Sequence, residues 1–199
     1  MRVSRVQAEE NRQAVINVAS RLFRQHGFDG IGLKDLMAAA GLTQGAFYKQ
    51  FESKDDLAVQ ASRRAVTSVL ERWSDAAASS PEEPLAAVID FYLSMGHCAE
   101  TADGCPVVAL GSDAARQGPE VKAAFEAGIK EQLEMLAGWL GEADGEPGSK
   151  AMAVLSTMVG AVLLARTVND EELSKRFLKA AAETALSQTG SKHTNASSR

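Results

Sequence analysis

The spacing of apolar residues predicts that the chain is almost entirely helical. Near the N-terminus, apolar side chains recur at intervals of three and four residues, which places them on one helical face: Val15, Val18, Ala19, Leu22 and Phe23. Glycine, proline and capping residues divide the remaining chain into further helical segments. The predicted helices cover residues 33–40, 44–51, 54–78, 80–101, 106–116, 119–140, 150–168 and 170–187. No alternating pattern typical of strands competes with them.

Polar side chains and a proline mark several of the predicted helix starts. Thr43 and Ser53 are predicted to cap the helices that follow them, because their hydroxyl oxygens can accept the N–H groups of a first turn. Pro81, which two glutamates follow, is predicted to lie in the first turn of the next helix. Asn169 or Asp170 is predicted to begin the last helix.

Residues 33–51 combine two short helices with a glycine turn, which is the pattern of a helix-turn-helix. Gly41 permits the two helices to cross sharply, Leu42 fills the turn, and Phe47 and Phe51 are predicted to face the core. The side chains left on the outer side of the second helix are Thr43, Gln44, Ala46, Tyr48, Lys49 and Gln50. Their hydrogen-bonding groups and one methyl suit the donor and acceptor pattern and the thymine methyls of a DNA major groove.

The charge distribution supports a polyanion-binding N-terminal segment on an otherwise acidic protein. The 199 residues carry a net charge of -5, but residues 1–64 hold ten Lys and Arg against seven Asp and Glu, whereas the remainder carries -8. Only the first part of the chain therefore suits contact with nucleic acid. The longest nearly apolar run, between Lys150 and Arg166, is shorter than the roughly 18 to 20 residues of a bilayer span. We therefore expect a cytoplasmic protein.

Residues 12–60 resemble the DNA-binding domain of the tetracycline-repressor (TetR) family. The segment AGLTQGAFYKQFESKDDL, residues 40–57, carries the most specific part of this resemblance. The resemblance implies an all-α protein with an N-terminal three-helix helix-turn-helix domain at 1–52 and a helical ligand-binding and dimerisation domain at 53–188. A disordered tail is expected at 189–199. The resemblance also implies a homodimer, formed by the two last helices, and a small-molecule effector that alters the distance between the two DNA-binding domains.

The resemblance assigns DNA contacts residue by residue. By position these are Lys34, Thr43, Gln44, Ala46, Tyr48, Lys49 and Lys54, with Tyr48 and Lys54 meeting phosphates. The family often has Thr or Ser before the second helix, where this chain has Gly32 and Leu33, so Lys34 is the substitute contact. Arg2, Arg5 and Arg12 are expected to add contacts from a flexible arm.

Two cysteines, Cys98 and Cys105, admit three interpretations. A metal site with His97 would have few ligands and a spacing unlike that of zinc sites, so no metal or other cofactor is expected. Burial in the core is the ordinary state of such residues. The third interpretation is a thiol sensor at Cys105, which stands before Pro106 at a predicted helix start where N–H groups stabilise a thiolate. Cys98 is then a resolving partner, provided that the chain turns back between the two.

Aromatic residues and methionines in the second part of the chain are candidates for an effector pocket. They are Trp73, Phe91, Met95 and Phe125, and the alternative for each is ordinary core packing. The expected function is a ligand-responsive DNA-binding repressor, without enzymatic activity, that a small molecule, electrophile or oxidant releases from a palindromic operator. Two alternatives remain open: a thiol-based enzyme or sensor centred on Cys105, and a helical scaffold whose N-terminal domain binds a protein partner.

Overall fold

The computed structural model describes residues 5–142 and 148–188, and all regular structure in these two ranges is helical. The helices are α1 (Arg5–His26), α2 (Leu33–Ala39), α3 (Gln44–Phe47), α4 (Lys54–Ser79), α5 (Pro84–Tyr92), α6 (Met95–Ala99), α7 (Pro106–Ala114), α8 (Pro119–Leu140), α9 (Ser149–Thr167) and α10 (Glu171–Ser187). The all-α prediction is therefore confirmed.

Two of the predicted caps are present and one is absent. The N–H of Asp56 donates to Ser53 Oγ at 3.0 Å, at the start of α4. The Asp170 carboxylate accepts the N–H groups of Glu172 and Leu173 and so begins α10. Thr43 stands at the N-cap of α3 but makes no side-chain capping hydrogen bond, so that prediction is wrong.

The predicted helix at 80–101 is two helices, and it begins later than Pro81. Pro84 occupies the first turn of α5. A proline disfavours the helical conformation of the residue before it, and Glu83 accordingly has φ -135° and ψ 57°. The second break follows Leu93, where Ser94 Oγ accepts the N–H of His97 at 3.0 Å and begins α6. The helix predicted at 44–51 is also shorter, because regular α3 ends at Phe47.

The chain divides into two compact units that are not continuous in sequence. Unit 1 comprises residues up to 74 together with 99–131, and unit 2 comprises residues 75–98 and those after 131. The predicted boundary between residues 52 and 53 lies inside unit 1, because α4 shares the hydrophobic core of the N-terminal helices. The functional boundary there stays a prediction, and the predicted tail at 189–199 lies outside the described residues.

The core of unit 1 joins the N-terminal helices to α4, α7 and α8. The largest fully buried members of this cluster are Phe23, Leu36, Met37, Phe47, Leu57 and Leu110. Val121 and Phe125 of α8 are buried in the same cluster. Residues far along the chain thus stabilise the three N-terminal helices by removing apolar area from water.

In unit 2, α9 packs along α10 and also contacts α6. Ser174 Oγ of α10 donates to the carbonyl of Ala165 at 2.8 Å. Arg166 donates through Nε to the carbonyl of Cys98 at 2.8 Å and through Nη2 to that of His97 at 3.1 Å. The guanidinium therefore satisfies carbonyl groups at the C-terminal end of α6, where a cation is favourable.

Helix α9 is longer than the apolar run from which it was predicted. Contrary to the prediction from that run, it is long and apolar enough, by length and composition alone, to cross a membrane, and within the described ranges it is the one helix that meets this test. The core helix of a water-soluble protein meets the same test. Here Ala151, Val154, Met158, Val162 and Ala165 are buried within the protein. The burial of this face indicates packing within unit 2 and gives a single apolar helix little weight as a membrane span.

Candidate nucleic-acid interface

The geometry of the helix-turn-helix depends on a turn that only glycine adopts easily. Gly41 has φ +72°, in the left-handed region. The N–H of Gly41 donates to Ala38 O at 3.0 Å, and that of Leu42 donates to Met37 O at 2.9 Å. These two bonds form a Schellman motif, which ends α2 and directs the chain into α3.

Buried aromatic residues hold helix α3 against the rest of unit 1. Phe47 is fully buried and Phe51, just after the helix, is 3% exposed. Their rings stack with centroids 5.3 Å apart. Both residues belong to the core cluster with Leu36 and Met37 of α2. The outer side of α3 is therefore presented from a rigid base, as predicted from the four-residue spacing of the two phenylalanines.

The opposite side of α3 is exposed and carries most of the predicted DNA contacts. Tyr48 is 69% exposed, which is unusual for a large aromatic residue. Its ring meets the buried Phe47 ring edge-on, with centroids 5.2 Å apart. Thr43, Gln44 and Lys49 are exposed as well, whereas Ala46 is half-buried. Because Thr43 does not cap α3, its hydroxyl is not committed to the helix terminus.

Two further lysines flank this surface. Lys34 is exposed in the first turn of α2, where Gly32 forms the N-cap without a side chain. Lys54 is the first residue of α4 and is half-buried. At the N-terminus of α4, Ser53 Oγ accepts the N–H of Asp56, and the Asp56 carboxylate accepts the N–H of Glu52 at 3.2 Å. The predicted phosphate contact in this region comes from the Lys54 side chain or a nearby backbone amide. No observation on the free chain tests these DNA contacts, which stay predictions.

The predicted flexible arm is not what the structure shows for its described members. Arg5 and Arg12 both lie in the regular helix α1. The Arg12 guanidinium is 5.4 Å from the centroid of the Phe51 ring, which is a cation–π distance. Arg12 is therefore held beside Phe51, just after α3, while Arg2 lies outside the described residues. Helix α1 thus begins at Arg5, further toward the N-terminus than the apolar pattern of residues 15–23 indicated.

The candidate effector residues are divided between the two units, and their part in a pocket stays a prediction. Trp73 and Cys105 are fully buried in unit 1, and Phe125 is 5% exposed in the core of that unit. The other three belong to unit 2: Phe91 is half-buried, Met95 is exposed and Cys98 is buried. No metal site is formed by His, Cys, Asp and Glu side chains in the part of the chain that the structure describes. The imidazole of His97 instead donates through Nδ1 to the carbonyl of Tyr92 at 2.7 Å.

Cys105 has a neighbour that the sequence pattern did not reveal. Cys105 is the N-cap residue of α7, as predicted, and Arg24 of α1 donates to the adjacent carbonyl of Gly104 at 2.9 Å. Desolvation lowers the pKa of Arg24 to about 10, although the charges of Asp103 and Cys105 oppose that shift. A buried guanidinium therefore acts electrostatically on the Cys105 thiol. The two residues are 81 positions apart, so only tertiary packing brings them together.

Sequence comparison relates this chain to bacterial transcription regulators. The family described as "Bacterial regulatory proteins, tetR family" matches residues 15–61. The transcriptional regulator AcrR of Shigella flexneri is 33% identical over 92 residues, which cover 46% of this chain and 43% of that protein. The chain thus aligns with less than half of AcrR. The repressor NemR of Escherichia coli (strain K12) is 23% identical over 168 residues, covering 79% of this chain and 84% of NemR.

Structural comparison extends the similarity to most of the chain. A TetR transcriptional regulator from Chloroflexus aurantiacus superposes with a TM-score of 0.77 at 26% identity, covering 92% of this chain and 95% of that one. The reduced form of Escherichia coli NemR gives a TM-score of 0.74 at 22% identity, covering 88% and 95% of the two chains. At that identity the NemR structure establishes the fold alone. The similarity includes the helices that follow the helix-turn-helix as well as the helix-turn-helix itself.

Proposed function

Because the chain belongs to the TetR family of DNA-binding transcriptional regulators, we propose that it is a homodimeric repressor that an effector releases from a palindromic operator. The observation that carries this proposal is the exposed side of α3, where Tyr48 is 69% exposed directly beside the fully buried Phe47. A hydrogen-bonding surface on a rigid helix fits the major groove. The relatives are regulators rather than enzymes, and the proposal includes no catalytic residue and no cofactor.

The proposed contacts divide into two kinds. Thr43, Gln44 and Ala46 lie at the start of α3 and are assigned to base edges and thymine methyls. The phosphate contacts are assigned to Lys34, Tyr48, Lys49 and Lys54, of which the first three are exposed and Lys54 is half-buried. Phosphate contacts supply affinity that falls with salt, whereas base contacts supply sequence preference.

The proposed dimer uses the outer side of α9. Met152, Leu163 and Leu164 of this helix are 51%, 49% and 47% exposed. Exposed apolar residues on one helix of a protein this size indicate a surface that a partner covers. A second copy with the same helix buries this surface symmetrically. Two DNA-binding domains in one dimer would meet half-sites about 34 to 36 Å apart on one face of the duplex.

Release of DNA follows from the coupling between effector and operator. An effector that binds the form unable to match the half-site spacing weakens DNA binding by the coupling free energy, typically about 1 to 3 kcal/mol. We assign the effector site to the helices after α3. There the cytoplasmic dimer would bind a dissolved small molecule. Trp73 and Phe125 in unit 1, and Phe91 and Met95 in unit 2, stay candidate contacts.

A second candidate makes Cys105 the receptor, as a thiol that an electrophile or oxidant modifies. Cys105 is the N-cap residue of α7, and the buried guanidinium of Arg24 bonds the adjacent Gly104 carbonyl, so a helix N-terminus and a cation both lie near this thiol. Cys105 is fully buried, so modification requires a local opening around it. Cys98 belongs to the other unit, and its part as a resolving partner stays a prediction.

The test is a binding assay with the DNA upstream of the protein's own gene, at two salt concentrations, with and without diamide. Specific binding that weakens with salt supports the regulator. Release by diamide from the wild-type protein, but not from the Cys105→Ser variant, supports the thiol receptor. If diamide releases DNA from the wild type and from Cys105→Ser alike, the oxidant acts on another group. Binding that is equally tight to unrelated duplexes contradicts the proposed operator recognition.

A further inference from the structure

A small pocket lined by polar and charged residues lies within unit 1. Its volume is about 90 Å³, and residues of α1, α4 and the segment before α7 line it: Asn17, Ser20, Arg21, Arg24, Arg64, Ser68 and Asp103. All of these belong to unit 1. Three of the seven side chains are arginines, and the others are hydroxyls, one amide and one carboxylate. Neither the proposed DNA contacts nor the candidate effector residues include any of them.

Arg24 is the most constrained group in the pocket. Its side chain is 2% exposed, yet it carries a positive charge that needs compensation. Its Nε donates to Ser20 O at 3.0 Å, Nη1 to Gly104 O at 2.9 Å and Nη2 to Ser20 Oγ at 3.3 Å. Three of the five N–H groups are thereby used. The nearest carboxylate oxygen, of Asp103, is 3.9 Å from Nη2, which is beyond hydrogen-bond distance.

The positive charge of the pocket exceeds the negative charge. Asp103 is the one carboxylate among the seven lining residues, and its shorter contact is with Arg21, at 2.9 Å. The lining residues therefore carry a formal charge of +2. Arg64 is partly neutralised from outside the pocket, since its Nη1 contacts Glu71 at 3.1 Å. Arg64 also donates through Nε to the Asn17 side chain at 3.3 Å.

The size of the pocket restricts what it can hold. Drug-sized ligands occupy pockets of roughly 300 to 1,000 Å³, so a volume of about 90 Å³ is too small for them. At about 30 Å³ for each water molecule, it accommodates a group of a few heavy atoms. Arginines and hydroxyls favour the oxygen atoms of phosphate, which guanidinium groups bind with two parallel hydrogen bonds. A doubly charged tetrahedral oxyanion matches both the volume and the formal charge.

We propose that this pocket binds a phosphate group, which Arg24 holds from the interior while Arg21 and Arg64 hold it from the two helices at its opening. The bound oxyanion competes with Asp103 for Arg21, because both present anionic oxygens to the same guanidinium. The phosphate group belongs either to the inorganic ion or to a small phosphorylated metabolite whose remainder extends into solvent. The proposal concerns binding to the protein alone and does not depend on the proposed DNA-binding function.

The test measures phosphate affinity of the full chain by isothermal titration calorimetry, with sodium chloride at matched ionic strength as the reference. Arg21→Gln and Arg64→Gln each remove a charged hydrogen-bonding group and are expected to weaken binding about tenfold or more. Asp103→Asn removes the competing carboxylate and is expected to tighten binding. Arg24 is not substituted, because its loss from the core endangers folding. Thermal unfolding of each variant verifies that the fold is retained.

Arg63→Gln is the matched control, because Arg63 precedes Arg64 on α4 but lines a different groove. Unchanged phosphate affinity in this control and weaker affinity in the two pocket variants support the site. Glycerol 3-phosphate binding as tightly as inorganic phosphate identifies the phosphoryl group of a metabolite as a ligand, whereas binding of the inorganic ion alone identifies the free anion. The proposal is overturned if chloride and phosphate act alike, or if the Arg21→Gln/Arg64→Gln double variant retains wild-type affinity.

Discussion

The rings of Phe47 and Tyr48 meet edge-on with centroids 5.2 Å apart, although the first residue is fully buried and the second is 69% exposed. Neighbouring aromatic residues at the end of one short helix thus have different functions. Phe47 anchors α3 in the core of unit 1. Tyr48 is oriented by that anchor and presents its outer part to solvent, where the proposed DNA phosphate would lie.

Tyr48→Ala is expected to weaken operator binding at least tenfold while leaving thermal stability close to that of the wild type. The substitution removes an exposed side chain, and exposed positions contribute little to folding, typically within about 0.5 kcal/mol. Fluorescence anisotropy with labelled operator DNA and thermal unfolding give the two readouts. Phe47→Ala is the control and is expected to destabilise the fold, since truncating a buried Phe costs about 3 to 5 kcal/mol of folding free energy. Wild-type DNA affinity in Tyr48→Ala would remove this residue from the interface.

Lys49→Ala is expected to weaken binding to all DNA sequences by similar factors and to reduce the salt dependence. A lost phosphate contact lowers the slope of log K against log salt by about 1. Gln44→Ala is expected to change sequence preference instead, because Gln44 is assigned to a base edge. Lys122→Ala on the exposed side of α8 serves as the charge-matched control. If Lys122→Ala lowers the slope as much as Lys49→Ala does, general electrostatic attraction explains both results.

Leu163→Glu is expected to convert the dimer into a monomer. Leu163 is 49% exposed on α9, so a carboxylate is tolerated in the separate chain but is buried and unpaired at a symmetric interface. Sedimentation velocity measures the change. Val6→Glu, which alters an equally apolar and 69% exposed residue on α1, is expected to leave the mass unchanged. A dimer that persists in Leu163→Glu would place the interface elsewhere.

Gly128→Ala is expected to destabilise the protein by about 1 to 3 kcal/mol through overpacking. A Cβ at this position of α8 would lie 2.1 Å from Val66 Cγ1 and 2.9 Å from Val66 Cβ, and the branched valine has little rotamer freedom. Gly138→Ala on the same helix meets no atom within 4 Å and is expected to be neutral or stabilising by up to about 1 kcal/mol. Chemical denaturation compares the two variants. Equal stability changes would contradict a close approach of α4 and α8.

Local patterns in the sequence were sufficient for the helices and for the helix-turn-helix. The spacing of Phe47 and Phe51 predicts the buried side of α3, because helical periodicity alone decides which side chains share a face. Gly41 predicts the turn, because few other residues adopt φ +72°. Asp170 predicts the start of α10 through bonds to residues two and three positions away. Each of these features depends on atoms that are neighbours in the chain.

Some local signals were not sufficient to predict the structure. Pro81 and Pro84 both suit a first helical turn, and the requirement that Pro84 places on Glu83 decided between them. Thr43 has the residue type of a cap and an extended backbone, but its side chain forms no capping bond. The candidate effector residues belong to two units, which hydrophobicity does not reveal, because it predicts burial but not which core a residue enters. Their contact with an effector stays a prediction.

The sequence by itself determined the helical content, the turn between α2 and α3 and the side chains exposed on α3, because those depend on interactions within a few residues. Only the tertiary structure decided which distant groups share a site. Arg24 and Gly104 are 80 positions apart and are joined by a hydrogen bond, and Gly128 packs against Val66 on another helix. Such contacts depend on how whole helices pack, which the periodicity of each helix does not specify. The cluster of arginines around Asp103 is for that reason visible only in the folded chain.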